Sequence, residues 1–113
     1  MATTYKVLGQ VNPTAATATT LYTVPAGTQT VVSTISVANL TAGELSFRIA
    51  IRPAVGGTAE TLAAKHYIAY DSTVAANDST MLTIGITLAA TDVITVYASS
   101  ATVSFNAFGS EIS

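Results

Sequence analysis

The sequence predicts one all-β domain, a β-sandwich of about eight antiparallel strands with jelly-roll-like connections. Three observations support this prediction. Short stretches alternate between apolar and polar residues, turn-forming residues recur about every eight to twelve positions, and no stretch has the period of a helix. The length of 113 residues suits a single domain. An immunoglobulin-like sandwich is the alternative arrangement of the same strands.

The clearest strand is LSFRIAIRP, residues 45–53. Side chains alternate across a strand, so the apolar residues share one face: Leu45, Phe47, Ile49 and Ile51. The opposite face carries Arg48 and Arg52, two of the four basic residues in the chain. This pattern predicts a half-buried strand whose polar face meets water or another molecule.

The same alternation predicts the other strands, over residues 5–11, 21–24, 28–39, 65–70, 79–88, 93–98 and 103–108. Residues 28–53 are interpreted as a hairpin that turns at residues 40–43. In its first strand Val31, Ile35 and Val37 are predicted to share a face with Ser33. In the strand 79–88 the apolar row is Leu82, Ile84, Ile86 and Leu88.

The remaining segments are interpreted as loops, and they set the predicted domain boundary. The Ala/Thr-rich residues 14–20 form a loop or an arm lying on a neighbour, and residues 71–78 form a polar loop. We therefore divide the chain into residues 1–20, an N-terminal strand and candidate arm, and residues 21–113, the sandwich.

The composition limits which functional classes are possible for this protein. Only 9% of the residues are charged and 50% are hydrophobic, so burial of surface against partners is favoured over a free monomer. Four cations cannot form a phosphate-binding patch, so nucleic acid is not an expected partner. The N-terminus lacks an apolar signal region and no apolar run is long enough to span a membrane, which predicts a cytosolic product without a membrane partner, unless a non-classical route exports it.

No catalytic, cofactor or metal site is predicted, and we expect the protein not to be an enzyme. His66 is the single histidine, and we interpret it as a surface or interface residue bonded to a hydroxyl. Asp71, Asp78 and Asp92 are interpreted as turn caps rather than calcium ligands. Asn39 and Asn77 begin chance matches to the glycosylation motif.

Tyr67 and Tyr70 are aromatic residues of the strand 65–70. Together with Asn77 and Arg52 they could form a platform for sugars or proteins, and ordinary packing at a strand edge is the simpler interpretation.

Several segments resemble small virion structural proteins of tailed bacteriophages. They are LYTVPAGT (21–28), VVSTISVAN (31–39), FRIAIRP (47–53), KHYIAYD (65–71), AANDS (75–79), LTIGI (82–86), VYAS (96–99) and FNAFG (105–109). The resemblance covers nearly the whole chain and is carried by core and turn patterns. It implies a capsid cement or decoration subunit, made in the host cytoplasm and located in the virion, that assembles as a homotrimer at local threefold positions.

Within this resemblance the expected partners are further copies of the chain and the major capsid protein or other virion proteins. Candidate interface residues are Arg48, Arg52, Lys65 and Tyr70. Alternative functions are a tail, neck or baseplate accessory subunit and a carbohydrate-binding module of a receptor-binding tip.

Overall fold

A computed structural model describes residues 2–113. It contains two four-stranded antiparallel sheets and a small hairpin. The elements in chain order are β1 (Thr3–Val11), β2 (Thr19–Thr23), β3 (Gln29–Asn39), β4 (Leu45–Arg52), β5 (Ala54–Val55), β6 (Thr58–Ala59), a 3-10 helix (Ala64–His66), β7 (Tyr67–Val74), β8 (Ser79–Leu88), β9 (Val93–Ala98) and β10 (Val103–Ile112). Sheet A has the order β1-β10-β3-β8 and sheet B the order β2-β9-β4-β7.

The pairing of the strands is that of a jelly roll. β1 pairs with β10, β2 with β9, β3 with β8 and β4 with β7, as if one long hairpin had been rolled up. Two further pairings, β10 with β3 and β4 with β9, complete the two sheets. The predicted all-β sandwich is therefore confirmed, in its jelly-roll form rather than the immunoglobulin-like one.

The predicted hairpin over residues 28–53 is wrong. β3 lies in sheet A and β4 in sheet B, so residues 40–44 cross between the sheets instead of turning back along one of them. A turn sequence such as Leu40–Gly43 suits either connection, and strand partners far away in the chain decide between them. β4 is paired with β7 and β9.

The core lies between the two sheets and is made by the alternating apolar residues. Phe47 of β4 and Phe105 of β10 meet edge to face with ring centroids 6.3 Å apart, and both are buried. Ile49 is fully buried, and Leu45 and Ile51 pack at the margin of the same cluster. The two faces predicted for the strand at residues 45–53 are thus confirmed.

Bulges shift the alternation in β3 and β8, and they correct two core predictions. Val32 rather than Val31 is buried, because the register with β10 shifts beside Ser33. In β8 an extra residue opposite β3 leaves Ile84 44% exposed, although it was placed in the apolar row. Gly85 follows with φ +57°, a left-handed conformation that glycine adopts without strain.

Two loop predictions are also corrected by strand pairing. β7 continues to Val74, so the first half of the predicted loop at residues 71–78 belongs to sheet B. β2 begins at Thr19, inside the predicted loop at residues 14–20. β1 is an edge strand of sheet A.

Between residues 2 and 113 the one helix is a 3-10 turn of three residues, so no helix described here could cross a membrane.

Candidate functional site

An arginine stacked between two tyrosines stands on the outer face of sheet B. The Arg48 guanidinium carbon lies 4.1 Å from the ring centroid of Tyr70 and 4.2 Å from that of Tyr97. Its Nε donates to Asp71 Oδ1 at 2.6 Å and its Nη2 to Oδ2 at 3.3 Å. These hydrogen bonds, more than the other nearby charges, raise the pKa of Arg48 above its ordinary value. The stack therefore keeps a fixed positive charge.

A bulge in β7 makes this arrangement possible. The register with β4 passes from Phe47 opposite Ser72 to Ile49 opposite Ala69, so two residues of β7 stand opposite Arg48. Those two residues are Tyr70 and Asp71, and Asp71 has φ +50°. The bulge brings a ring and a carboxylate to the same guanidinium, which regular alternation would not do.

An aromatic groove adjoins the stack. The rings of Tyr67 and Tyr70 meet edge to face, with centroids 4.9 Å apart and an interplanar angle of 86°. Together with Leu62, Ala63 and Ala64 they line an open groove of about 650 Å³. Tyr70 is 58% exposed, so its ring is accessible from the solvent. We call this surface, formed by Leu62–Ala64, Tyr67 and Tyr70, the tyrosine groove.

The connection from β4 to β7 is anchored on the carboxylate and backbone of Glu60. Arg52 Nε donates to the Glu60 carbonyl oxygen at 2.8 Å, and Lys65 Nζ lies 3.6 Å from Glu60 Oε1. His66 Nδ1 accepts the Ala63 N–H at 2.9 Å, so the proton on Nε2 faces Glu60 Oε1 at 3.2 Å. The His66 hydrogen bond first, and the Lys65 charge second, lower the pKa of Glu60. His66 is buried against a carboxylate, which corrects the predicted surface histidine with a hydroxyl partner.

The structure brings the four predicted interface residues to one side of the molecule. Arg48 contacts Tyr70, while Arg52 and Lys65 both contact Glu60. They differ in accessibility. The Lys65 side chain is 69% exposed and Tyr70 is 58% exposed, whereas Arg48 already donates to Asp71, and Arg52 to Glu60 and Thr95. Lys65 and Tyr70 are available to a partner, and the arginines hold the surface in place.

The outer face of sheet A, which we call face A, was not singled out from the sequence. Its residues form rows across the four strands: Tyr5, Ser110, Val31, Thr87; Val7, Phe108, Thr34, Thr83; Gln10, Asn106, Ser36, Met81. None of these twelve residues is ionisable in the neutral pH range. Tyr5 is 84% exposed, Met81 67% and Phe108 37%. The sequence does carry one signal for this face. Tyr5, Val7 and Phe108 occupy outward positions of their strands, where a strand that faces solvent usually has polar residues.

Face A also contains a shallow groove. It has a volume of about 420 Å³ and is lined by Tyr5, Lys6, Val31, Ser33, Phe108, Gly109 and Ser110. The one charged group in this lining, the Lys6 ammonium, is paired with Glu111 Oε1 at 3.3 Å. The groove is therefore apolar at its centre and suited to an uncharged side chain.

The acidic residues considered as calcium ligands are engaged with the protein. Asp92 accepts the N–H groups of Ala54 and Ala89, at 2.8 and 2.9 Å, and Asp78 accepts the N–H of Ser79 at 2.8 Å. Within residues 2–113 no three His, Cys, Asp or Glu side chains stand close enough together to hold a metal ion. No protein-family model matches this chain, and comparison with curated proteins gives no match.

Proposed function

We propose that this protein is a non-enzymatic virion structural protein of a tailed bacteriophage, a cement or decoration subunit that binds the assembled capsid and stabilises it. One observation carries the proposal that the chain works within an assembly: none of the twelve residues of face A is charged, and Tyr5, Val7, Met81 and Phe108 are exposed on it. The cores of protein interfaces are depleted in charge and enriched in aromatic residues and methionine. Face A matches in its lack of charge and in its exposed Tyr5, Phe108 and Met81, and seven of its twelve residues are uncharged polar side chains.

The exposed apolar side chains of face A are unfavourable in water. Contiguous exposed apolar patches are uncommon on monomers and mark contact surfaces. Each side chain that a partner buries contributes roughly 25 cal/mol per Å² of apolar area removed from water. A subunit that spends its working life within an assembly gains this free energy permanently.

The side that bears sheet B is available for a second contact. The molecule is a flat body of 45 × 28 × 19 Å, so its two sheet faces point in opposite directions. Lys65 and Tyr70 project from the sheet B side, and Arg48 fixes the ring of Tyr70. We assign the shell contact to Lys65 and Tyr70, and not to the predicted N-terminal arm, because β1 is a paired strand of sheet A.

The stabilisation follows from mass action. A subunit that binds the mature shell more tightly than the precursor or the free capsid protein shifts the equilibrium toward the mature shell. No bond is made or broken in this function. The protein would be made in the host cytoplasm and end in the virion.

The test is to add the purified chain to capsids that lack it and to image them. Decoration at regular lattice positions, together with a higher temperature of capsid disruption, is expected. Lys65→Glu and Tyr70→Ala should each weaken binding at least tenfold. Glu44→Lys, a charge change in the exposed crossing loop, serves as the matched control. Capsids that remain bare with the unmodified chain would contradict the proposal, and binding to tails or necks would favour an accessory subunit there.

The tyrosine groove favours one second candidate, a carbohydrate-binding module. Sugars stack on exposed aromatic rings, and Tyr67 and Tyr70 form an aromatic wall beside an open groove of about 650 Å³. Titration with host-surface glycans, followed by the NMR signals of both tyrosines, tests this candidate. Shifts that are lost in Tyr70→Ala would support it, and unchanged spectra would remove it.

A further inference from the structure

We propose that copies of this chain bind one another through face A, with the β8 margin of one copy packed against the groove beside β1 and β10 in the next. The inference rests on the proposed function, because it names the partner that face A takes in a self-assembling subunit. Three features support a second copy of this chain as that partner: the charge distribution, two unlike margins, and the uncharged edge of β8.

The charge distribution favours an uncharged partner. The chain has four basic and six acidic side chains, and none of them is in the three rows that form face A. A charged partner surface would lose its hydration there, and no charged residue in these rows would compensate for that loss. Face A of another copy is equally neutral, so two copies can approach without that cost.

The two margins of face A have different shapes. At the β1 and β10 margin, Tyr5, Val31 and Phe108 surround the apolar groove. At the β8 margin, Met81 and Ile84 project with exposed fractions of 67% and 44%. Three strand spacings, roughly 14 Å, separate β1 from β8. Unlike patches at separate places are what a head-to-tail contact requires, and such contacts close rings such as trimers.

The bulge in β8 contributes directly to this second margin. Without it, Ile84 would follow the alternation of Leu82 and face the core. The extra residue instead leaves the Ile84 side chain exposed close to Met81 in sequence. Methionine is flexible and polarisable, so it fits an irregular apolar groove well. Met81 lies in a row of face A, and Ile84 is exposed three residues further along the same edge strand.

The free edge of β8 also needs a cover. Ser79–Leu88 is a ten-residue edge strand that contains no lysine, no proline and no charged residue of any kind. Natural edge strands are protected from unwanted pairing by such residues and by bulges, and the bulge at Ile84 and Gly85 protects only one part of β8. Packing of the β8 margin against the next copy removes this edge from solvent.

The experiment introduces a charge at each margin in turn, then combines the two changes, and measures the molecular mass of the assembly by light scattering. The unmodified chain is expected to be a trimer. Met81→Lys alone and Phe108→Glu alone should each reduce the mass to that of the 11.5 kDa monomer. The double variant should restore the trimer, because the new lysine of one copy meets the new glutamate of the next.

Controls separate loss of association from loss of folding. Both positions are exposed, so circular dichroism spectra should be unchanged, and Tyr5→Glu, at an 84% exposed position of the same groove, gives an independent test. Single variants that keep the full mass would overturn the interface. A dimer of the unmodified chain would overturn the trimeric ring, because a two-fold axis brings the β8 margin of each copy against the β1 and β10 margin of the other.

The experiments distinguish failure of this self-association interface from failure of the capsid-binding function. If the single variants are monomeric and the unmodified chain does not decorate capsids, the interface stands and the cement function fails. If the variants remain trimeric while the unmodified chain decorates capsids, the cement function stands and copies do not meet through face A.

Discussion

At the residue scale, Asn39 connects parts of the chain that are distant in sequence. It ends β3 and is 3% exposed. Its amide Nδ2 donates to the carbonyl oxygens of Gly43, Val74 and Ala75, at 2.7, 3.3 and 3.1 Å. Its Oδ1 accepts from the N–H and the hydroxyl of Thr41, at 3.0 and 2.9 Å. The residue that begins a glycosylation motif is thus a buried structural amide.

We predict that Asn39→Ala lowers the free energy of unfolding by about 2 to 4 kcal/mol, because it leaves several buried groups without partners. Urea denaturation measures the effect. Asn106→Ala, on the outward face of β10, is the matched control and should change stability by less than about 0.5 kcal/mol. Equal effects of the two substitutions would contradict the structural role of Asn39.

A second residue-scale feature is a hydrogen-bonded chain at one end of the sandwich. The Tyr22 hydroxyl donates to Glu111 Oε2 at 2.6 Å and is 2.8 Å from Thr30 Oγ1, while Lys6 donates to Glu111 Oε1. Burial, followed by the hydrogen bond to Glu111, raises the pKa of Tyr22 to about 12. The same hydrogen bond is the largest effect on Glu111 and lowers the pKa of its carboxyl.

This lowered pKa predicts an acid-dependent contribution to stability. The unfolded chain takes up a proton at Glu111 near the ordinary value of 4.5, and the folded chain does so only at lower pH. The contribution is present above pH 4.5 and is lost as the pH falls through the lowered pKa. Glu111→Gln should therefore cost about 1.5 kcal/mol at neutral pH and less in acid.

Denaturation at neutral pH and again below pH 4.5 measures this difference. Glu44→Gln, which removes an exposed carboxyl of the crossing loop, is the control and should not lower the free energy of unfolding at neutral pH. An equal loss of stability for Glu111→Gln at both pH values would contradict the prediction.

At the element scale, the close approach of β1 to β2 depends on a glycine. A Cβ atom at Gly9 would overlap the carbonyl oxygen of Leu21, so only glycine allows this contact between the sheets. The register of β1 with β10 shifts at the same place, between Val7 and Gly9. Because Gly9 has no side chain, the edge strand β1 of sheet A can pack directly against sheet B.

We predict that Gly9→Ala lowers the free energy of unfolding by about 2 to 3 kcal/mol, because the backbone of β1 must move away from β2. Gly43→Ala is the matched control, since a Cβ there meets nothing within 4 Å and the backbone is not left-handed. Hydrogen exchange should show faster opening of β1 in Gly9→Ala alone. Unchanged protection of β1 would contradict the close packing.

At the scale of the whole molecule, neutrality of face A predicts how association responds to solution conditions. Contacts between charged groups weaken with salt, whereas apolar contacts do not depend on ionic screening. The mass of the assembly should therefore be the same at low and high sodium chloride. The melting temperature should rise with protein concentration, because association stabilises the folded chain.

Light scattering across a salt series and calorimetry across a concentration series provide these two measurements. Met81→Lys serves as the comparison, since its melting temperature should not depend on concentration. Dissociation of the unmodified chain by salt would show that charged residues, such as Lys65, carry the association instead.

The candidate site could be predicted in part from the sequence. Lys65 and Tyr70 were identified from the predicted strand 65–70, and both are exposed, but that strand begins only at Tyr67 and Lys65 lies in the 3-10 helix before it. The contacts of Arg48 could not be predicted from the sequence, because Tyr97 lies on a strand far away in sequence and the Tyr70–Asp71 bulge interrupts the alternation. Face A escaped detection because its exposed residues come from β1, β8 and β10, which only the sheet order brings together.

The sequence by itself determined the all-β class, the positions of the main strands and the buried faces of strands such as β4, because these follow from local alternation. The tertiary structure alone decided that β3 and β4 lie in different sheets, that bulges expose Ile84 and pair Tyr70 and Asp71 with Arg48, and that face A is free of charge. The physical reason is that strand pairing joins residues far apart in the chain, and its register is set by the packing of the whole core.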